Sequence, residues 1–306
     1  MNINDDFIEN NSCIICSSKN LRFIGEKSKA QNISKITCQI FECLNCNHWF
    51  TDPMPKQQLL DRLYSENSEY VISENWVQNT KNNNNPNISA PDTHWIVSYL
   101  SKYSPGNYLE IGPGSGILFR KMRELGWNCF AIDLGSYAEG SNIFSSPEHL
   151  PPNILYDVIV FQDVLEHVSN PNASLLIYSK YLIPGSLLFM TVPWSESKSA
   201  QNQKTNWDMV DPLGHLHYFS KSSAETFLSA AGFEIIQRRT INIYFQSYFK
   251  CLALEFFHMI TRVLRPWKWH KLNGTIESLK FFLQFFPGDP DGDQLYVIAK
   301  KRDLQQ

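Results

Sequence analysis

The sequence lacks several features that mark membrane-spanning, secreted or nucleic-acid-binding proteins. No uncharged apolar run reaches the roughly 18 residues that a transmembrane helix needs, and the opening residues MNINDDFIENN are polar and acidic, unlike a secretory signal. The chain also lacks a large excess of charge of one sign, since the net charge is only -3 and charged residues make up 19% of the sequence. The composition therefore predicts a cytoplasmic protein that acts on a small molecule, and it argues against nucleic acid as the partner.

The chain is long and apolar enough for an ordinary folded protein. Its 306 residues include 43% hydrophobic side chains, which supports a packed core and leaves room for two domains. It contains 7 cysteines. In a reducing compartment cysteines indicate metal binding or redox chemistry before disulfides, so their spacing decides between these uses.

Four of the cysteines form two C-x-x-C pairs near the N-terminus. They are Cys13, Cys16, Cys43 and Cys46. Each pair can hold a zinc ion from a tight turn, and a hairpin built from LRFIGE and SKITCQIFECL would bring the two turns together. We predict a structural zinc ribbon over residues 1–55, with free cysteines or a redox pair as the alternative. Cys38 and His48 are then satisfied or surface residues, because four thiolates complete the coordination of the ion.

Helical and strand patterns alternate after residues 56–93, which we predict to be a helical and Asn-rich linker. HWIVSYLSKY predicts a helix, NYLEI a strand, ILFRKMREL a helix, NCFAIDL a strand and YDVIVFQDVL a strand buried on both faces. ASLLIYSKYL, LLFMTVP, SAETFLSAAGF and EIIQRRTINI continue the alternation. Short connections between such elements indicate an α/β fold, with a mostly parallel sheet covered by helices on both faces.

A glycine-rich turn follows the first strand of this sheet. Gly112, Gly114 and Gly116 allow a sharp turn and the close approach of a ligand, at the edge of the sheet where α/β proteins bind ligands. The turn by itself also suits a dinucleotide, but Glu110 in front of it would repel a pyrophosphate and would attract a cation. Asp133, at the end of the next strand, can accept hydrogen bonds from both hydroxyls of a ribose. These residues predict a positively charged nucleoside without phosphate.

The motifs in this part of the chain resemble those of class I S-adenosylmethionine-dependent methyltransferases. E-x-G-x-G-x-G, the strand that ends in Asp133, YDVIVFQDVLEHVSNP and YLIPGSLLFMTVP occur in the expected order between Asn107 and Gly232. The resemblance implies a methyltransferase domain over residues 94–306, with a Rossmann-like sheet whose last strand is antiparallel. It implies that Glu110 and the glycine turn hold the methionine part of the cofactor and that Asp133 holds the ribose. The floor beside the sulfonium is then lined by Gln162, Asp163, Val164 and Leu165.

The chain departs from this family where the adenine should bind. Between Asp133 and Asp157 there is less chain than the family usually devotes to a helix and a third strand, and SNIFSSPEHL has to cover the adenine. Ser145, Ser146 and Glu148 are the candidates for that contact.

Two histidines in GHLHYFS are candidates for the chemistry. Methyl transfer requires an aligned acceptor and, for a hydroxyl, the removal of a proton. Similar stretches occur in this family at the substrate-facing end of the sheet, so we predict His215 as the base and His217 as the second catalytic candidate. The alternative for either imidazole is a structural bond to a backbone carbonyl. The tetrapeptide typical of amine methylation is missing, which favours a hydroxyl oxygen on a sugar or another biosynthetic metabolite.

A second set of residues in FQDVLEHV offers a divalent ion site. Asp163, Glu166 and His167 resemble a set that some ubiquinone-pathway O-methyltransferases use to hold a metal, and these donors would suit magnesium or manganese. In the alternative interpretation the Glu-His pair caps a helix and packs beside the cofactor.

The last predicted strand, DQLYVIAKK, follows an insertion of more than forty residues. Apolar stripes predict a helical pair at about residues 244–288, which is interpreted as a lid of the acceptor pocket or as a homodimer contact. Basic and aromatic residues within 252–286 leave open a contact with a membrane surface or a lipid-linked acceptor. Two other functions also stay open: an RNA methyltransferase that uses the ribbon as a clamp, and a non-catalytic binding module on a methyltransferase scaffold.

Overall fold

The structure is a computed structural model that describes residues 6–31, 34–64, 91–133, 141–241 and 292–303. The predicted insertion at 244–288 and the Asn-rich run at 82–87 lie outside these residues. In the described part of the chain, no helix is both long and apolar enough to cross a membrane.

A mixed sheet of seven strands lies at the centre of the fold. Its strands, in chain order, are β6 (Asn107–Ile111), β7 (Asn128–Ile132), β8 (Ile143–Phe144), β9 (Tyr156–Gln162), β10 (Leu182–Pro193), β12 (Phe233–Ile241) and β13 (Gln294–Lys301). Their spatial order is β8-β7-β6-β9-β10-β13-β12, and β13 runs antiparallel to both of its neighbours while the other described pairs are parallel. The predicted Rossmann-like sheet with an antiparallel last strand is confirmed.

The strand order determines where a ligand can bind. From β6 the chain continues to β7 and β8 on one side of β6, and then crosses to β9 on the other side of β6. The direction in which strands are added to the sheet therefore reverses between β6 and β9. In open α/β sheets, the crevice at such a reversal lies outside the carboxyl ends of the strands and is the usual ligand site. The glycine turn after β6 is therefore at the expected position.

Helices cover both faces of this sheet. They are α2 (Pro91–Leu100), α3 (Ile117–Glu124), α4 (Pro171–Ser179) and α6 (Lys221–Ala230), while the short helix α5 (Lys198–Gln203) contributes Ala200 to a separate core with Ile40 and Trp49 of the N-terminal region. Successive residues of a strand point to opposite faces, so Leu109 packs in the core that includes α4 and α6, while Tyr108 packs with α2 and α3. Capping side chains that accept hydrogen bonds from backbone N–H groups define three helix starts, at Asn170 for α4, Ser197 for α5 and Ser220 for α6.

The N-terminal region contains β1 (Phe7–Ile8), β2 (Leu21–Gln31), β3 (Ser34–Cys43), β4 (Trp49–Asp52) and β5 (Met54–Pro55), followed by α1 (Gln57–Tyr64). Strands β1 and β5 pair with each other, while β2, β3 and β4 belong to a second sheet that is completed by a strand from residues 217–218. The sheet order is β11-β4-β3-β2, in which β11 (His217–Tyr218) pairs antiparallel with β4. Strands β2 and β3 form the predicted hairpin.

The ribbon also shares its core with the large sheet. Buried ribbon residues such as Ile15 and Phe50 belong to the same apolar cluster as Leu165, Leu216 and Phe219. The domain boundary at residue 55 stays a prediction, but the side chains on its two sides pack as one interior.

Candidate functional site

The glycine turn after β6 has the backbone geometry that its sequence predicts. Gly112, Gly114 and Gly116 have φ values of 63, 51 and 67°, in the left-handed region that costs other residues about 1–2 kcal/mol. A Cβ atom added to Gly112 would lie 2.9 Å from Cγ2 of Val164, which contacts the turn from the end of β9. The turn therefore has no room for a side chain at Gly112, and it brings one predicted floor residue against the predicted cradle.

Two buried carboxylates flank this turn at the ends of neighbouring strands. Glu110 is 2% exposed and Asp133 is 6% exposed, and their strands β6 and β7 pair in parallel. The hydroxyl of Tyr108 donates to Oε2 of Glu110 at 2.9 Å, while the backbone N–H of Asp133 donates to Phe144 O at 2.9 Å. Two negative charges thus lie beside a glycine turn, which is an arrangement suited to a ligand that carries positive charge and hydroxyl groups.

One of the predicted floor residues has a strained backbone, and a distant strand holds its side chain in place. Asp163 has a φ of 52°, which is unusual for a residue with a side chain and frequently marks functional positions. Its Oδ1 accepts hydrogen bonds from the Thr191 hydroxyl at 3.2 Å and from Nε2 of Gln294 at 2.9 Å. The Tyr296 hydroxyl in turn donates to Oε1 of Gln294 at 3.0 Å. A role for Gln294 was not predicted from the sequence. The one feature of the sequence that could have indicated it is that Gln294 begins the antiparallel strand β13.

The predicted adenine-binding residues follow the short strand β8. The hydroxyls of Ser145 and Ser146 lie 3.2 and 3.3 Å from Nδ1 of His149. Glu148 lies beside them, and a hydrogen bond from Ser146 lowers the pKa of its exposed carboxyl. Their contact with an adenine stays a prediction.

The four N-terminal cysteines converge as their spacing predicts. The Sγ atoms of Cys13 and Cys46 are 3.7 Å apart and those of Cys16 and Cys43 are 3.5 Å apart, and all four lie within 4.8 Å of one another. A tetrahedral zinc ion with sulfur ligands at about 2.3 Å places these sulfurs about 3.8 Å apart. The four thiolates therefore fit a zinc ion.

His217, the second catalytic candidate, uses both of its ring nitrogens inside the protein. Its Nε2 lies 3.1 Å from the carbonyl of Val168, and because a carbonyl only accepts, this nitrogen carries the proton. Its Nδ1 lies 3.2 Å from Nε2 of His48 and accepts a hydrogen bond from that nitrogen. Burial lowers the pKa of His217 to about 4, so the imidazole is neutral. This geometry matches the structural alternative for His217.

His215, the predicted base, lies beside two residues of the FQDVLEHV motif. Its ring centre is 4.8 Å from that of His167, and ligand atoms of Glu166, His167 and His215 lie within 4.8 Å of one another. Burial raises the pKa of the Glu166 carboxyl and the Asp163 charge adds to this shift, while burial and His215 lower the pKa of His167 to about 3. Of the predicted ion set, Glu166 and His167 lie in this group with His215, whereas Oδ1 of Asp163 accepts hydrogen bonds from Thr191 and Gln294.

An open α/β sheet with a glycine turn between two carboxylates is a Rossmann-like arrangement whose ligand crevice lies at the carboxyl ends of the strands. A family profile described as "Methyltransferase domain" matches residues 88–238. The matched segment contains the glycine turn, Glu110 and Asp133, and the match supports the predicted enzyme class, a methyltransferase.

Two curated relatives carry the name "Ubiquinone biosynthesis O-methyltransferase". The protein of Paramagnetospirillum magneticum is 30% identical over 92 residues, which cover 26% of this chain and 37% of the relative. The protein of Rickettsia canadensis is 27% identical over 109 residues, which cover 31% of this chain and 46% of the relative. The chain thus spans less than half the length of the curated relatives it matches.

Solved methyltransferase structures are also similar to this chain. The plantazolicin methyltransferase BpumL in complex with SAH has a TM-score of 0.48 and 15% identity, and the match covers 81% of this chain and 95% of that one. An S-adenosylmethionine-dependent methyltransferase from Clostridium acetobutylicum has a TM-score of 0.46 and 10% identity, with 71% and 94% covered.

Proposed function

We propose that the protein transfers a methyl group from S-adenosylmethionine to a hydroxyl oxygen of a sugar or another small biosynthetic metabolite. The observation that carries the proposal is the pair of buried carboxylates, Glu110 and Asp133, on either side of a turn that has no room for a Cβ at Gly112. When bound, S-adenosylmethionine supplies an electrophilic methyl group on its sulfonium.

Each residue around the turn has a separate task in this proposal. Glu110 accepts hydrogen bonds from the amino group of the methionine part, and its carboxylate is oriented by the Tyr108 hydroxyl. Asp133 accepts hydrogen bonds from the two ribose hydroxyls. Gln162, Asp163 and Val164 line the floor beside the reacting centre, where the bond from Gln294 keeps the Asp163 side chain directed toward β13.

His215 is the proposed base. Its Nδ1 lies 2.7 Å from the carbonyl of Met209, so Nδ1 carries the proton and Nε2 holds the lone pair that can accept a proton from the acceptor hydroxyl. His217 is left with the task of holding the loop, because its two nitrogens are bonded to His48 and Val168.

Two observations support oxygen as the methyl acceptor. The curated relatives are named as O-methyltransferases. The segment Gln162–Leu165 also lacks the acidic-asparagine-proline-aromatic sequence typical of amine methylation. A sugar or related metabolite is the proposed acceptor class, and a lipid-linked acceptor or a homodimer contact through 252–286 stays a prediction on residues outside the described part.

Two metals enter the proposal differently. The four cysteine thiolates would hold a structural zinc ion, which leaves no open position for substrate. Magnesium on Asp163, Glu166 and His167 does not fit, because Oδ1 of Asp163 is bonded to Thr191 and Gln294 and two of the three clustered donors, His167 and His215, are imidazoles, which suit other ions better. No catalytic step is assigned to magnesium.

The test is methyl transfer from S-adenosylmethionine with an isotopically labelled methyl group to a panel of nucleotide-linked sugars, free sugars and phenols. We expect label in at least one hydroxyl-bearing acceptor, located on oxygen by mass spectrometry of the product. His215→Ala should abolish transfer while cofactor affinity is retained. Transfer at the wild-type rate by this variant would remove His215 as the base, and label on nitrogen or carbon alone would contradict the acceptor assignment.

A further inference from the structure

Glu166 and His167, in the loop after β9, form a cluster of potential metal ligands with His215, which lies just before β11. One ligand atom from each lies within 4.8 Å of the other two, and Nε2 of His167 is 3.8 Å from Oε1 of Glu166. The two chain segments that supply them are joined directly, because the backbone N–H of Leu216 donates to the carbonyl of Glu166 at 2.7 Å. The cluster is therefore built from segments held in register.

Backbone carbonyls orient both imidazoles of the cluster. Nδ1 of His167 lies 2.6 Å from the carbonyl of Gly214, and Nδ1 of His215 lies 2.7 Å from the carbonyl of Met209. A carbonyl oxygen only accepts hydrogen bonds, so each Nδ1 carries the proton and each Nε2 carries the lone pair. This is the second bond that metal-ligating histidines usually make, and it fixes the tautomer required for a metal ligand.

Glu166 supplies the observation that independently indicates a cation. The residue is 1% exposed, and within the described chain its Oε2 has no hydrogen-bond partner. Buried carboxylates are normally paired or bound to a metal, since desolvation of an unpaired carboxylate is costly. A cation between Glu166 and the two imidazoles would satisfy this oxygen.

We propose that Glu166, His167 and His215 bind one divalent transition-metal ion, separate from the zinc ion of the cysteine cluster. Two imidazole nitrogens and one carboxylate oxygen match ions of the zinc, cobalt and iron class, whereas magnesium prefers oxygen donors and retains its water. The ion requires the three ligand atoms to move closer together, to about 2.0–2.2 Å from a common centre.

Ion binding has a consequence for catalysis that rests on the proposed function. The lone pair on Nε2 of His215 cannot hold an ion and accept a proton at the same time. We therefore expect the ion to suppress methyl transfer while S-adenosylmethionine still binds, because Glu110 and Asp133 belong to other strand ends.

The test uses cobalt(II) as the probe on the full-length protein as purified, with its cysteine site loaded. Native mass spectrometry and visible absorption should detect one cobalt ion beyond the metal already present, without the charge-transfer bands of cobalt-thiolate coordination. His167→Ala should weaken cobalt binding by at least about 10–100-fold. Even the loss of a residue that only hydrogen-bonds to a metal ligand typically lowers metal affinity by about this factor, and His167 is a proposed ligand itself. Glu166→Gln, which preserves shape, should weaken it as well, and His149→Ala, at an exposed histidine outside the cluster, should not.

Three results decide the proposal. Failure of the wild-type protein to bind an additional cobalt ion would overturn it, and so would wild-type cobalt affinity in both His167→Ala and Glu166→Gln. A millimolar excess of magnesium that displaces the cobalt would overturn the ion class. Because binding is measured without turnover, these results stand apart from the proposed function: cobalt that binds to the cluster and leaves methyl transfer unchanged would instead remove His215 as the base.

Discussion

At the scale of single residues, two buried tyrosines hold the polar groups of the site. The Tyr108 hydroxyl donates to Glu110 two residues further along β6. The Tyr296 hydroxyl donates to Gln294, two residues away on β13, and Gln294 donates to Asp163. Side chains two residues apart in a strand share a face, so each tyrosine reaches its partner without a bend in the backbone. Strand geometry thus orients two side chains of the proposed cofactor site.

The first prediction concerns Tyr108. Tyr108→Phe removes the hydroxyl that orients Glu110, and we expect the binding free energy of S-adenosylmethionine to weaken by about 0.5–1.5 kcal/mol, the usual worth of one hydrogen bond. Isothermal titration calorimetry measures the change. Tyr103→Phe is the matched control, because the exposed Tyr103 hydroxyl donates to the Tyr99 hydroxyl and not to Glu110. Equal affinities for Tyr108→Phe and the wild-type protein would mean that the hydroxyl does not orient the cofactor ligand.

The second prediction concerns Asp133. Asp133→Ala removes two charge-assisted hydrogen bonds to the ribose, and we expect S-adenosylmethionine affinity to fall by about 1.5–3 kcal/mol. The same titration measures this loss, and Asp303→Ala at an exposed position serves as the control. A change smaller than the error of the titration would remove Asp133 from the ribose site.

Sequence reasoning predicted the site residues unevenly. The glycines, Glu110 and Asp133 were predictable because a strand followed by a glycine turn defines its own local geometry. Gln294 was not, since its partner Asp163 lies 131 positions away and strand pairing alone brings them together. The pairing of His217 with His48, across 169 positions, was missed for the same reason.

At the scale of elements, the ribbon is attached to the loop that carries the proposed base. Strand β4 pairs with β11, and the N–H of Thr51 donates to the carbonyl of Leu216 at 2.9 Å. The carbonyl of Cys46 accepts hydrogen bonds from the hydroxyls of Ser220 and Ser222. A residue of the proposed zinc site therefore contacts the residue that caps helix α6, two positions after β11.

The third prediction follows from this attachment. Removing zinc with a chelator should increase amide hydrogen exchange in residues 214–220, because their hydrogen-bond partners at β4 and Cys46 lose their anchor. Exchange in the central strands β6 and β9 should change much less, since those strands are bonded to one another. Hydrogen exchange followed by mass spectrometry measures both regions. Unchanged exchange at 214–220 after complete zinc loss would show that the loop is held without the ribbon.

Elements were more predictable than the contacts between them. The strands β6, β7 and β9 and the helices α3 and α6 follow directly from hydrophobic periodicity. The third strand of the sheet was expected to be reduced, and β8 has only 2 residues. The addition of β11 to the ribbon sheet could not be predicted, because a strand of 2 residues has no periodicity to detect.

At the scale of the whole molecule, the ribbon and the methyltransferase domain share one apolar core. The sequence indicated separate units, because cysteine spacing and hydrophobic periodicity each describe a single region and carry no information about packing between regions. A shared core makes cooperative unfolding the expected behaviour, since exposing one part exposes apolar surface of the other.

The fourth prediction tests this cooperativity. Cys43→Ser should abolish zinc binding and lower the unfolding temperature of the entire protein, in a single calorimetric transition. Cys38→Ser is the matched control, since Cys38 is a buried ribbon cysteine outside the zinc group. It should retain zinc. Two separate transitions in the wild-type protein, with only one of them shifted by Cys43→Ser, would show that the ribbon folds independently.

Native mass spectrometry of the purified protein with S-adenosylmethionine supplied tests the central claim most directly. The account predicts a complex that contains at least one zinc ion and one molecule of S-adenosylmethionine or its demethylated product, held by the glycine turn, Glu110 and Asp133. A protein that carries zinc but binds no nucleoside at saturating S-adenosylmethionine would contradict the account, because every assigned step of methyl transfer begins from that complex.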